Sequence, residues 1–350
     1  MTNPMQVCAI ARQWALAFVL FGAFFDHWAV ASPAASVQEE TIRIAGPIQG
    51  LQLGLRHASM ANTALHNART AVLFLHGAGV PTSGNPDFRQ GGRSFMSALA
   101  ERGFDVWALD FYGFGESDRY PEMADSPDKH LPLGPAPECA QQVQSVVTFL
   151  KQERHVQQVL LIGDSGGSII AGLFAAEHAD SVARLVLFGP ITPFSDGPSP
   201  QDVLPAFALL TPIMVWNLLK SQAETAGAPD VLDSSIYQGW ADTYLRSDPS
   251  SATRNPPSVR VPNGRQADLA NIARGHYTFD PSEIRAPTLI VMGETDEIAT
   301  FEGAKWLLKS LQHAASRRLV VLGHASHTVQ FETERRTLYR VVADFLSETD

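Results

Sequence analysis

One serine stands among glycines and an aspartate, Gly163-Asp164-Ser165-Gly166-Gly167, directly after the apolar run Val159-Leu160-Leu161-Ile162 and before a helix-like stretch over 168–178. A serine on so sharp a strand-to-helix turn projects its hydroxyl clear of its neighbours. The positions two residues to either side must be small because the turn folds back on itself, and both are glycine. The N–H of Gly166 then stands at a helix N-terminus, where it can stabilise a developing oxyanion. A serine hydroxyl is a poor nucleophile at neutral pH and needs a positioned imidazole, itself oriented by a carboxylate. Both should follow the serine, at strand ends on the same rim of a sheet. The run Thr288-Leu289-Ile290-Val291-Met292 leads into Gly293-Glu294-Thr295-Asp296, and Arg318-Leu319-Val320-Val321-Leu322 leads into Gly323-His324-Ala325-Ser326-His327. Asp296 and His327 meet the requirement, in the order Ser, Asp, His.

The elements that must position these groups alternate. TIRIAG and LQLGLRHAS read as an opening pair of strands, and AVLFLHG (71–77) as a strand buried on both faces. A helix over 92–102, a strand over 104–110, a helix over 137–152 with Val143, Val146, Val147 and Leu150 at helical spacing, the serine strand and helix, and a strand over 183–190 follow. Such alternation implies a mostly parallel sheet with helices on both faces. From 191 to 285 it stops, giving way to Pro, Ser, Asp and aromatic residues with short helical pieces, and it resumes with a strand at 287–296, a helix near 303–311, a strand at 317–323 and a terminal helix over 328–346. The interruption reads as an inserted lid over a core of 40–190 and 286–348, because sheet strands flank it on both sides.

G-D-S-G-G also surrounds the nucleophile of trypsin-like proteases, where β-structure flanks it and the His and Asp precede it. The Ala-rich stretch SIIAGLFAAEHA after Ser165 reads as helix, and cysteines are too few for that class. The five segments LFLHGAG, DFYGFGESD, IGDSGGS, VMGETDEIA and GHASHTVQFE, in this order, resemble the α/β-hydrolase family over about residues 40–348, the insertion excepted. The resemblance implies an α/β fold with a sheet of about eight strands, a nucleophile at Ser165, an acid at Asp296 and a base at His327. It implies a second oxyanion donor at the N–H of Ala78 beside that of Gly166, with Gly79 the alternative, and a structural place for His76. Asp196 and Glu294 remain rivals for the acid, and His324 for the base. A serine at this elbow counts against dehalogenases and epoxide hydrolases of the fold, which use aspartate there. Carboxylic esters, lactones, thioesters, small amides, acyl transfer and some C–C cleavages stay open. The expected partner is a small-molecule ester or related acyl compound. An aminopeptidase or amidase would need an acidic anchor for the substrate amine, for which Glu224 and Asp268 are candidates, and a non-catalytic binding protein on the same scaffold is a third reading. Trp216, Tyr237 and Trp240 could line an apolar acyl cavity or form the insertion's own core.

In the 350-residue chain, apolar residues make up 45% and charged residues 18%, ordinary for a globular protein. The net charge of −10 and the lack of Lys/Arg clusters argue against nucleic acid or an anionic membrane as partner. Neither a metal-ligand spacing nor a dinucleotide fingerprint is evident, so no cofactor is expected. At the N-terminus, Arg12 precedes an apolar run over 14–25, and Ala29-Val30-Ala31 offers a small-x-small cleavage site before Ser32. That order fits a secretory signal over 1–31, too short for a comfortable membrane span, and predicts a periplasmic or secreted protein. Its removal would take away Cys8 and leave Cys139 without an intrachain partner.

Overall fold

The computed structural model of the protein describes residues 36–61, 69–195, 203–225 and 231–349. The expected signal over 1–31 and the rival acid Asp196 lie outside the described residues, and the side chain of Glu224 is likewise not described. Ten strands are described: β1 (Val37–Ala45), β2 (Gln52–Met60), β3 (Thr70–Leu75), β4 (Val106–Asp110), β5 (Gln158–Asp164), β6 (Val182–Phe188), β7 (Phe207–Leu210), β8 (Val259–Pro262), β9 (Thr288–Gly293) and β10 (Arg317–Leu322). Eight of them form one sheet in the order β1-β2-β4-β3-β5-β6-β9-β10. β2 is antiparallel to both β1 and β4, and every pairing from β4 to β10 is parallel. The ends of β5, β9 and β10 therefore share one rim, which brings together loops far apart in sequence.

Continuous apolar strands and their covering helices make this a two-layered core. On β3, Ala71, Leu73 and Leu75 face one hydrophobic cluster, while Val72 and Phe74 face the other. β5 repeats the alternation with Val159 and Leu161 against Leu160 and Ile162. The first cluster is closed by α2 (Ala136–Glu153), α3 (Gly166–Glu177) and α7 (Phe301–Ser310), the second by α1 (Phe95–Ala100) and α8 (Arg335–Ser347). Side chains buried this completely each contribute about 1.5–3 kcal/mol relative to exposure. The edge strand β10 exposes Arg317 and Arg318, charges that discourage pairing with another sheet.

The segment between β6 and β9 carries α4 (Pro212–Thr225), α5 (Tyr237–Arg246), α6 (Gly264–Ala273) and the antiparallel pair β7–β8. Sequence patterning anticipates helical pieces there but not the two-stranded sheet, since four-residue strands are too short to show a period. The terminal helix also departs from expectation. Residues 329–331 form an isolated 3₁₀ turn, Glu332 is extended, and the helix begins only at Arg335. The Glu332 carboxylate, turned back onto Ser326 and Thr328, accounts for the break. No helix among the described residues is long and apolar enough to cross a membrane.

Candidate active site

Ser165 occupies the turn between β5 and α3 with φ 50 and ψ −120, a region that non-glycine residues enter only at a cost of about 1–3 kcal/mol. The flanking glycines make the turn possible. A Cβ on Gly167 would stand 2.4 Å from the Leu75 carbonyl oxygen, and one on Gly163 would stand 2.6 Å from the Cβ of Ala171. The Ser165 hydroxyl lies 2.9 Å from Nε2 of His327, and Nδ1 of His327 lies 2.9 and 3.0 Å from the two oxygens of Asp296. Because a carboxylate can only accept, Nδ1 carries the proton and Nε2 is left to accept from the serine.

Each partner is held in turn. Asp296 is buried in the turn after β9, where Oδ1 accepts from the N–H groups of Ile298 at 3.0 Å and Ala299 at 2.7 Å. Burial alone pulls the His327 imidazole down, but the Asp296 carboxylate and its hydrogen bond, with Asp164 and Glu332 behind, raise it above the ordinary histidine value. Asp164, next to Ser165, is buried; burial pushes its carboxyl up to about 6 against the pull of His327 and the hydrogen bonds from Asn85 and Gly77. The Asn85 amide nitrogen donates to Asp164 at 2.6 Å.

The loop after β3 supplies the other half of the site. Ala78 and Gly166 both border the space above Ser165, and the Ala78 nitrogen is 3.3 Å from where a Gly166 Cβ would be. Among the described residues neither N–H donates to a protein acceptor, so both are available to an oxygen beside Ser165. Gly79, in the left-handed region at φ 86, borders the same space. His76 is fully buried between Phe111 and Phe114, with Nδ1 2.8 Å from the Gly77 carbonyl oxygen and Nε2 accepting from the Phe111 N–H at 3.4 Å. Burial lowers it to about 4, with Asp110 opposing, so the ring is neutral and shapes the loop. The described sequence rivals, Glu294 and His324, fall elsewhere. Glu294 is exposed and accepts from the N–H of His324, itself exposed, at 3.2 Å.

A cavity of about 480 Å³ opens above Ser165 and His327. Its walls are Ile191, Ala208, Leu210, Val215, Leu218, Leu219, Val261, Leu269 and Ile298, with Asn263, Gln266 and Thr328 as polar points. Among the described lining residues there is no Asp, Glu, Lys or Arg. Trp216, Tyr237 and Trp240 do not line it, which corrects the expectation that they could form the substrate wall. Trp216 packs 5.2 Å from Tyr237 and 5.6 Å from Trp240, Trp240 stacks on Tyr244, and the Trp240 indole N–H donates to Gly84 at 3.0 Å. They form the insertion's own core and anchor it, because an indole buried with its N–H satisfied is most stable there. The aliphatic residues of β7 and α4, which sequence reasoning passed over for the aromatics, line the cavity instead. Asp268 is likewise spent. It is buried, accepts from the Ala136 N–H at the start of α2 and lies 4.0 Å from Arg265. A larger surface cleft of about 830 Å³, edged by Arg56, Asp87 and Arg89, does not include Ser165 or His327. Among the described residues no cluster of His, Cys, Asp and Glu could hold a metal ion.

Comparison with known proteins agrees with this architecture. A haloalkane dehalogenase of Mycobacterium marinum (strain ATCC BAA-535 / M) is 24% identical over 274 residues, spanning 78% of this chain and 83% of its own. A 2-hydroxy-6-oxononadienedioate/2-hydroxy-6-oxononatrienedioate hydrolase of Burkholderia vietnamiensis (strain G4 / LMG 22486) is 25% identical over 287 residues, spanning 79% and 86%. The crystal structure of E-2-(acetamidomethylene)succinate hydrolase shares the fold at a TM-score of 0.60 and 17% identity, covering 88% of this chain and all of that one. The family model described as serine aminopeptidase, S33, matches residues 66–334, and the chain belongs to that family of α/β-hydrolases.

Proposed function

We propose that the protein is an exported serine hydrolase that cleaves a carboxylic ester or lactone with an uncharged, apolar acyl group. The observation that carries this reading is the Ser165–His327–Asp296 relay opening into a cavity whose described wall is aliphatic and uncharged. Nε2 of His327 takes the Ser165 proton as Oγ bonds to the ester carbonyl carbon. The resulting oxyanion is stabilised by the N–H groups of Ala78 and Gly166. As the C–O bond to the leaving group breaks, the imidazolium returns its proton to the departing alkoxide. Water, deprotonated by the same imidazole, then releases the acid and restores the serine. The insertion between β6 and β9 acts as the lid, since β7, β8, α4 and α6 all contribute to the cavity.

The lining weighs against the alternatives. An aminopeptidase needs an anion for the substrate amine, and a dienedioate hydrolase must accommodate carboxylates; the described lining residues offer no charged side chain to either. Dehalogenation on this fold uses an aspartate where this chain has Ser165. The test is a substrate panel under one condition: p-nitrophenyl acetate through decanoate, aminoacyl p-nitroanilides, a ring-fission dienoate and a haloalkane. Turnover confined to the esters supports the reading; faster turnover of an anilide or the dienoate overturns it. Export rests on the order Arg12, apolar 14–25 and Ala29-Val30-Ala31. A mature protein recovered outside the cytoplasm and beginning at Ser32 supports it, and an intact N-terminus on cytoplasmic protein contradicts it.

A further inference from the structure

Glu332 has no exposed surface, yet among the described residues no cation is bonded to its carboxylate. Its partners are neutral: the N–H of Ser326 at 2.9 Å, the hydroxyl of Ser326, and the hydroxyl of Thr328 at 2.9 Å. The guanidinium of Arg335 is near but donates to the Glu332 backbone carbonyl at 2.8 Å. A buried charge satisfied only by neutral donors costs more than an apolar side chain of the same volume. The residues it holds are the two that flank His327, so one carboxylate clasps the imidazole's backbone from both sides. Its own backbone is tied to the insertion: Glu332 forms a β-bridge with Leu232, and the N–H of Thr333 donates to the Val231 carbonyl at 3.1 Å.

We propose that Glu332 is a positioning residue for His327, holding the imidazole in register with Ser165 and linking that register to the seating of the 231–232 segment. The proposal rests on His327 being the base. Three anionic groups face the imidazole from different elements: Asp296 after β9, Asp164 at the end of β5, and Glu332 before α8. Of these only Asp296 touches the ring; Glu332 acts through the loop and through its field.

The test compares Glu332→Gln, Glu332→Ala and Glu332→Asp with the full-length wild type. All rates are normalised to folded protein, and the His327 ring is titrated by NMR alongside the kinetics. Glutamine keeps the volume and can still accept from the Ser326 N–H while donating to a hydroxyl, so it removes charge and keeps shape. The expected results are an imidazole titration moved to lower pH in Glu332→Gln, and a fluorophosphonate labelling rate reduced at least about tenfold in Glu332→Ala with ester KM changed less than about threefold. Glu332→Asp should recover the titration but only part of the rate. A purely structural glutamate predicts less folded protein, with titration and rate per folded molecule unchanged, and that result overturns the proposal. If wild type is neither labelled nor active on esters, the hydrolase reading fails, while the NMR titration still decides whether Glu332 governs His327.

Discussion

Gly189 stands directly behind His327. A Cβ on this residue would lie 3.1 Å from Cε1 and 3.2 Å from Nδ1 of the imidazole, and Gly189 itself sits at φ 51. It follows β6, so the sheet presents bare backbone to the ring. Gly189→Ala should therefore tilt the imidazole and lower kcat by about a hundredfold or more while leaving most of the fold intact. Circular dichroism and active-site titration of the variant check this; wild-type kcat in folded protein would show that the ring has slack.

Asp296→Asn tests the orienting carboxylate. The amide can meet the ring with its nitrogen and trap the wrong tautomer, so kcat should fall by about three to four orders of magnitude with KM little changed. A drop below tenfold would hand the role to another acid.

The pH profile has a definite sign. His327 must be neutral to accept the serine proton, and its neighbours raise its pKa, so the acid limb of kcat/KM should lie above the 6.5 of an ordinary histidine. An acid limb below that value would mean that burial, which opposes the raising, prevails.

Asp164 bears on stability. Its folded value of about 6 exceeds the ordinary 3.8, so the folded state binds this proton more tightly than the unfolded state. The stability it adds is fully present below about pH 4 and is lost as the pH rises through 6. Asp164→Asn removes that loss. Asn85, whose Oδ1 is unpartnered, can turn to accept from the new amide. The melting temperature of the variant relative to wild type should climb between pH 4 and 7, by an amount worth up to about 3 kcal/mol. A difference independent of pH would contradict the assignment.

The cavity wall sets chain length. Val215→Phe on α4 projects bulk into the 480 Å³ space, so octanoate and longer esters should lose kcat/KM by at least about tenfold while acetate stays within about threefold. Equal losses across the series would place the acyl chain elsewhere.

The meeting of Ser165, Asp296 and His327 was legible where local pattern and strand ends coincide. Ser165 is marked by its glycines, and Asp296 and His327 by the apolar runs that deliver them to one rim. The insertion was less legible because its cavity is built by tertiary packing. Trp216 and Trp240 have the composition of either a wall or a core, and only their ring contacts decide. Glu332 was missed altogether, because nothing in its local sequence distinguishes it from Glu334, which is only partly buried.

The most direct test of the central claim is covalent. Wild type and Ser165→Ala should be incubated with a fluorophosphonate at pH 8, digested and mapped by mass spectrometry. One phosphonyl adduct is expected on Ser165 in wild type and none in the variant, with ester turnover lost in parallel. Labelling that persists in folded Ser165→Ala, or ester turnover that survives the substitution, would contradict it.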